Sequence, residues 1–196
     1  MDISFRILLG ILLVGFMSHR AYYTRKYTSA GQAPQQQIEE NAVQKLFSLL
    51  AIPALIGLLA YVIQPGWMAW ASLPMPVWLR WAGVVIALIG FALLQWAHNA
   101  LGKNWSDIPG VQREHTLTTS GPYQWIRHPI YTAFILILGS TLLISANAFI
   151  GGLWLLMTVG DVFFRVRVEE TLMAERFGAA YAEYAAHTGA LFPWIG

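Results

Sequence analysis

Apolar residues in this chain come in long, nearly unbroken runs rather than in the spaced stripe of a surface helix. Positions 3–22 have a dense apolar core from Ile7 to Met17, and 46–63 and 77–96 are almost as uniform. A helix needs about 20 mostly apolar residues to cross a bilayer, so each run predicts one span. The first run has neither a basic leader nor an A-x-A site, which favours a span over a signal peptide. Residues 130–160 carry no charged side chain, a stretch too long for one span and slightly short for two. Asn147 and the pair Gly151-Gly152 lie near its middle. It therefore predicts a tight helical hairpin, 129–145 and 148–164, whose last helix runs on out of the membrane through Arg165, Glu169 and Tyr184. The expected fold is an all-α integral membrane protein of five transmembrane helices in a single domain, 1–196, with no internal repeat.

Composition supports lipid as the solvent. The chain has 196 residues, 57% hydrophobic and 11% charged, where a soluble domain is about a quarter charged. Its mean hydropathy is +0.52. So small a protein cannot bury that apolar excess internally. Trp67, Trp70 and Trp78 sit among Pro65, Gly66, Pro74 and Pro76 between the second and third spans, the usual place of interfacial aromatics. Cysteine is absent, which excludes disulfides, a catalytic thiol and thiolate metal sites.

Charge placement then sets an orientation. Ten of the twelve Lys and Arg residues fall in three segments: Arg20, Arg25, Lys26 and Lys45; Lys103, Arg113 and Arg127; Arg165, Arg167 and Arg176. With five spans these segments share one side, leaving Arg6 and Arg80 on the other. The positive-inside rule makes the crowded side cytoplasmic, so the N-terminus faces out and the C-terminus in. The sequence pI near 9.0 is then a consequence of topology and no sign of a nucleic-acid partner.

Two polar segments meet on that side, 117–131 and 164–170. Pro129 suits the first turn of a helix and pushes His128 toward an extended conformation. The helix start flanked by Arg127 and His128 would suit an anion such as a carboxylate; equally, both residues serve as ordinary positive-inside anchors. Asp161, Arg165 and Glu169 are spaced by four and share one helix face. Charges at a membrane centre cost about 2.5–3.5 kcal/mol each, so these belong at its edge or in a polar interior. They read either as a cleft for a zwitterion or as a surface ion pair. His19, His98, His115, His128 and His187 lack metal-ligand spacing, and no metal is expected. No dinucleotide or P-loop motif is present. Gly121-Pro122 reads as a turn, and Tyr181 and Tyr184 as packing residues.

At these segments the chain resembles the isoprenylcysteine carboxyl methyltransferase family, in its short prokaryotic form related to phospholipid methyltransferases. The resemblance rests on Leu117…Gly121-Pro122-Tyr123…Arg127-His128-Pro129-Ile130-Tyr131 and on Arg165…Glu169-Glu170…Phe177-Gly178…Tyr181…Tyr184. Leu101-Gly102-Lys103-Asn104-Trp105-Ser106 and Thr188-Gly189-Ala190-Leu191-Phe192-Pro193 resemble the short members too. It covers 97–196, the expected catalytic part. It implies S-adenosyl-L-methionine as cofactor and S-adenosyl-L-homocysteine as product. The pocket would be cytoplasmic, built from the 97–128 loop, the start of the fourth helix and the C-terminal helix. A lipophilic or prenylated acceptor would enter from the bilayer. Leu117, Gly121, Tyr123, Arg127, His128, Pro129, Tyr131, Glu169 and Glu170 would hold or shape the cofactor site. Asn104, Trp105 and Arg165 would meet the substrate, with Arg165 and Glu169 as the catalytic pair. Arg167 and Val168 stand where eukaryotic members carry acidic residues. The reaction expected is methyl-ester formation on an isoprenylcysteine-like carboxylate. A phospholipid N-methyltransferase or a small-molecule thiol or amine methyltransferase is the alternative. A nicotinamide-dependent sterol-type reductase and a non-enzymatic transporter or scaffold are the more distant readings. Which glutamate meets the cofactor, and the oligomeric state, stay open at this level.

Overall fold

The computed structural model describes residues 3–28, 36–37, 42–104, 110–111 and 116–193. Among the described residues seven α-helices follow in order: α1 Ile3–Thr28, α2 Ala42–Ile63, α3 Val77–Leu101, α4 Pro129–Gly139, α5 Thr141–Ser145, α6 Ala148–Phe177 and α7 Ala179–His187. The all-α expectation needs one small amendment. Gln36–Gln37 and Gly110–Val111 form a two-residue antiparallel ladder, Gln36 opposite Val111. The first three helices also outrun the apolar runs that announced them, because backbone hydrogen bonding propagates one residue at a time once a helix exists.

Among the described residues four helices are long and apolar enough to cross a membrane: Ile3–Lys26, Lys45–Ile63, Val77–Leu101 and Ala148–Phe177. The apolar stretch Pro129–Ser145 is shorter and is interrupted at Ser140. There Ser140 Oγ donates to Ile137 O at 2.7 Å and Thr141 Oγ1 to Leu138 O at 2.6 Å, hydroxyl contacts that compete with the helical ladder. This broken helix is central, packed between α3 and α6, with Ala133, Ile137 and Ile144 buried. The long helices turn rows of apolar side chains outward, among them Ile7, Ile11 and Val14 on α1 and Leu49, Ile52 and Ile56 on α2. Apolar surface on that scale fits lipid and not water. The protein is an integral, multi-pass membrane protein.

The hairpin expected near Asn147 is present. Ala146 adopts a left-handed conformation (φ 49°), and Asn147 caps α6 by accepting from Ile150 N at 3.0 Å. The completely buried Asn147 also donates to Met68 O at 2.8 Å. Gly151 lets the two arms close: a Cβ there would lie 2.1 Å from Leu142 Cα. On α3, added Cβ atoms at Gly83 and Gly90 would meet Leu143 at 2.7 Å and Ile137 at 2.8 Å. These small residues therefore serve packing within the chain.

The two lone arginines stopper helix ends at one pole. Arg6 donates to Val62 O through Nε (2.9 Å) and Nη2 (2.6 Å), and Nη2 also reaches Ile63 O at 2.5 Å, at the end of α2. Arg80 donates to Ile144 O at 3.1 and 2.8 Å and lies 3.9 Å from the centre of the Phe5 ring. Cations suit the carbonyl-rich end of a helix. At the other pole Tyr23 on α1 donates to Asn99 on α3 (3.2 Å), and this is where the polar segments gather.

Candidate active site

The site is built on the first turn of α4. Pro129 occupies the first helical position and His128 the cap (φ −124°, ψ 58°). Proline keeps His128 out of the helical region, but its ψ falls short of the extended range expected. The His128 carbonyl must turn to accept the Thr132 N–H at 3.1 Å. The preceding residues pair with the chain's last segment in a parallel bridge, Ile126 beside Gly189. Arg127 N donates to Gly189 O (2.8 Å), His128 N to Ala190 O (3.0 Å) and Gly189 N to Trp125 O (3.1 Å). Thr132 Oγ1 adds a bond to Leu191 O at 2.7 Å. Backbone groups that would otherwise be buried without partners are thus satisfied by the tail.

Against this turn α6 sets two adjacent carboxylates. Arg127 grips Glu170 with Nε to Oε1 at 2.7 Å and Nη2 to Oε2 at 3.2 Å. Its Nη1 donates to Ala185 O at 3.1 Å and to Thr188 O. Every nitrogen of this guanidinium is engaged inside the protein. The anion met by Arg127 is the chain's own Glu170. His128 bridges the pair, with Nε2 3.0 Å from Glu170 Oε1 and Nδ1 3.4 Å from Glu169 Oε2. Burial is the largest single influence on this imidazole and opposes its charge. Hydrogen bonds and charge from Glu169 and Glu170 together outweigh it and hold the pKa above the ordinary 6.5. Tyr131, one turn on, donates its hydroxyl to Glu169 Oε1, and its ring stacks on His128 (5.8 Å between centres).

Arg165 differs from Arg127. Its Nε donates to Asp161 Oδ2 at 2.8 Å. Among the described residues its two terminal nitrogens have no partner, although the side chain is only 18% exposed. The ion pair considered from the sequence, Arg165 with Glu169, is replaced by Arg165 with Asp161. Glu169 turns instead to α4, because Tyr131 and His128 offer it two donors.

Gly121 is required for two separate reasons. Its φ is +62°, and a Cβ would lie 2.9 Å from Ala100 Cβ and 3.3 Å from Trp96 Nε1. It presses the turn Gly121–Gln124 onto α3 and brings the buried Tyr123 under the site. Leu117 is half-buried in the segment before it. Asn104 is buried, and its amide nitrogen lies 3.0 Å from each of Thr116 O, Thr116 Oγ1 and Thr118 Oγ1. That amide ties two loop segments together. Trp105, Arg113 and His115 lie outside the described residues.

Three contributors escaped the sequence reading. Tyr184, read as packing, donates to Tyr123 O at 2.6 Å. Thr132 and the carbonyls of residues 188–191 join the same assembly. The available signals were Thr132 one turn after His128, Tyr184 in the family-like run, and the family-like ending 188–193.

Comparison with known proteins places this geometry. The profile of the isoprenylcysteine carboxyl methyltransferase family matches residues 83–175. Human protein-S-isoprenylcysteine O-methyltransferase is 33% identical over 132 residues, covering 64% of this chain and 45% of the human protein. An Arabidopsis thaliana protein-S-isoprenylcysteine O-methyltransferase B is 27% identical over 203 residues, 99% of this chain and 96% of the relative. The chain spans about half the length of the animal and yeast relatives it matches. A solved structure of a eukaryotic intramembrane Ras methyltransferase superposes with a TM-score of 0.58 at 22% identity, covering 81% of this chain and 55% of that one.

Proposed function

We propose, from the premise that this chain belongs to the isoprenylcysteine carboxyl methyltransferase family, that it methylates the carboxylate of a lipophilic, isoprenylcysteine-like acceptor using S-adenosylmethionine. The observation that carries the reading is the contrast between its two arginines. Arg127 is saturated by Glu170 and backbone carbonyls, while Arg165 keeps two terminal nitrogens for an outside anion. A planar guanidinium fork is the natural partner of a carboxylate.

The donor set suits the cofactor. Glu169 is a partly exposed carboxylate whose Oε2 has only the 3.4 Å contact to His128, so it retains acceptor capacity for an ammonium group. Tyr131, Tyr123, Gly121 and Leu117 would form the wall around it. Glu170 is tied on both oxygens, so Glu169 is the ligand and Glu170 a support. When bound, S-adenosylmethionine supplies an electrophilic methyl group on a positively charged sulfur. Arg165 orients the acceptor carboxylate, already ionised at pH 7, so no general base is needed. Positioning of this kind is worth about 7–11 kcal/mol. Tyrosine faces beside a cation add about 0.5–2 kcal/mol.

The basic pole of the molecule carries Arg20, Arg25, Lys26, Lys45, Arg127, Arg165 and Arg176, which supports a cytoplasmic site, an outside N-terminus and five spans with Pro129–Ser145 as the fourth. We read 1–196 as one membrane-embedded methyltransferase domain with its catalytic part in 97–196.

The test uses protein in detergent, methyl-labelled S-adenosylmethionine and an S-farnesylcysteine analogue with a free carboxylate. Volatile label released by alkali, and lost in Arg165→Ala, supports ester formation at this site. Alkali-stable label would move the acceptor to an amine or thiol. Binding of NADPH in place of S-adenosylhomocysteine would overturn the methyltransferase reading.

A further inference from the structure

Asp161 stands one turn before Arg165 on the same face of α6, flanked by Val159, Gly160, Val162 and Phe163. A carboxylate in such a setting is unfavourable unless a cation compensates it. Among the described residues Arg165 is the side chain bonded to it, by one contact, Nε to Oδ2 at 2.8 Å. The choice of nitrogen matters. Carboxylates commonly take a guanidinium by two donors at once, which here would consume the fork. The bond at Nε alone fixes the plane of the group and leaves both terminal nitrogens without a hydrogen-bond partner among the described residues. Arg167, two residues on, has no such guide; its guanidinium lies over the Phe163 ring, 4.1 Å from the centre.

We propose that Asp161 is a positioning residue for methyl transfer, aiming the terminal nitrogens of Arg165 at the acceptor carboxylate. The assignment rests on the reading of Arg165 as the acceptor's anchor.

The test compares Asp161→Asn, Asp161→Glu and Asp161→Ala in the alkali-release assay, with S-adenosylhomocysteine affinity measured in parallel. Asparagine keeps an oxygen at the same reach and is expected to retain kcat to within about fivefold. Glutamate displaces the contact by roughly an ångström, a misplacement that can cost on the order of 100-fold; a kcat loss of at least about tenfold is expected, with alanine as low or lower. S-adenosylhomocysteine Kd should stay within about twofold in all three. Glutamate and alanine variants that turn over like wild type overturn the proposal. So does a parallel loss of cofactor affinity, which would mark a merely structural role. If alanine fails to fold, the asparagine–glutamate pair still decides. An Arg165→Ala variant with full kcat removes the anchor reading itself, and the role of Asp161 falls with it; alkali-stable product in wild type refutes the ester reading separately.

Discussion

Arg127 and Glu170, forty-three residues apart, meet through two bonds at 2.7 and 3.2 Å, and the same guanidinium holds the carbonyls of Ala185 and Thr188. One side chain thereby fastens α6, α7 and the tail to the start of α4. The site is a fixture made by this clamp, with Glu169 held by Tyr131 and His128 and the terminal nitrogens of Arg165 left without a hydrogen-bond partner among the described residues.

Removing the clamp should damage folding before chemistry. Arg127→Ala takes two donors from Glu170, which keeps His128, and removes the guanidinium from two carbonyls. Breaking a fully buried pair costs about 3–5 kcal/mol. With Glu170 partly exposed, about 2–3 kcal/mol is expected here, discounted for screening. Arg127→Lys should rescue little, since an ammonium cannot reproduce the fork. Thermal unfolding in detergent would show both variants well below wild type; unchanged melting would refute the clamp.

The two glutamates should separate cleanly. Glu169→Ala is expected to weaken S-adenosylhomocysteine binding at least about tenfold, or 1.4 kcal/mol, with modest loss of stability. Glu170→Ala should chiefly lower the melting temperature. Calorimetric titration decides. Wild-type affinity in the Glu169 variant would sink its role as ligand.

On the proposed role of Arg165 as the acceptor's anchor, Arg165→Ala should lower kcat at least about tenfold while S-adenosylhomocysteine affinity stays near wild type. Equal losses of cofactor affinity and turnover would instead place Arg165 on the cofactor.

His128 gives the pH dependence a sign. Its folded-state pKa is raised, so the folded protein holds a proton that the unfolded chain releases near 6.5. The resulting stability is fully present below about pH 6.5 and disappears as pH rises through the folded-state value. Melting temperature should therefore fall between mildly acid and alkaline pH, and His128→Asn should flatten that slope. The same slope in the variant would remove His128 as its source.

Gly121→Ala combines a left-handed φ of +62° with a contact 2.9 Å from Ala100 Cβ. A loss of about 1–3 kcal/mol is expected. Adding Ala100→Gly should recover only part of it, since the clash is relieved and the backbone strain stays. Full recovery would mean that φ contributes nothing.

Much of the architecture was legible because bilayer burial is written into local composition. Runs of apolar residues long enough to span, a charge-free stretch broken near Asn147, and arginines sorted to one end each act within a short window of chain. The hairpin turn was marked by Asn147 and Gly151-Gly152 near the middle of that stretch, and the motif residues His128, Tyr131, Glu169 and Glu170 marked two segments that the fold brings together. The pairing of side chains within the site was not legible, because it depends on distance across the fold. Charge alone does not say which partner Arg127, Arg165, Glu169 or Glu170 will take. Only when α4 packs on α6 does Arg127 fall opposite Glu170 and within reach of the Ala185 and Thr188 carbonyls, leaving no nitrogen without a partner. The same packing draws Glu169 to Tyr131 and gives Arg165 to Asp161. Helical spacing allowed Arg165 either partner, four residues back or four ahead, and the competing donors on the neighbouring helix decided between them.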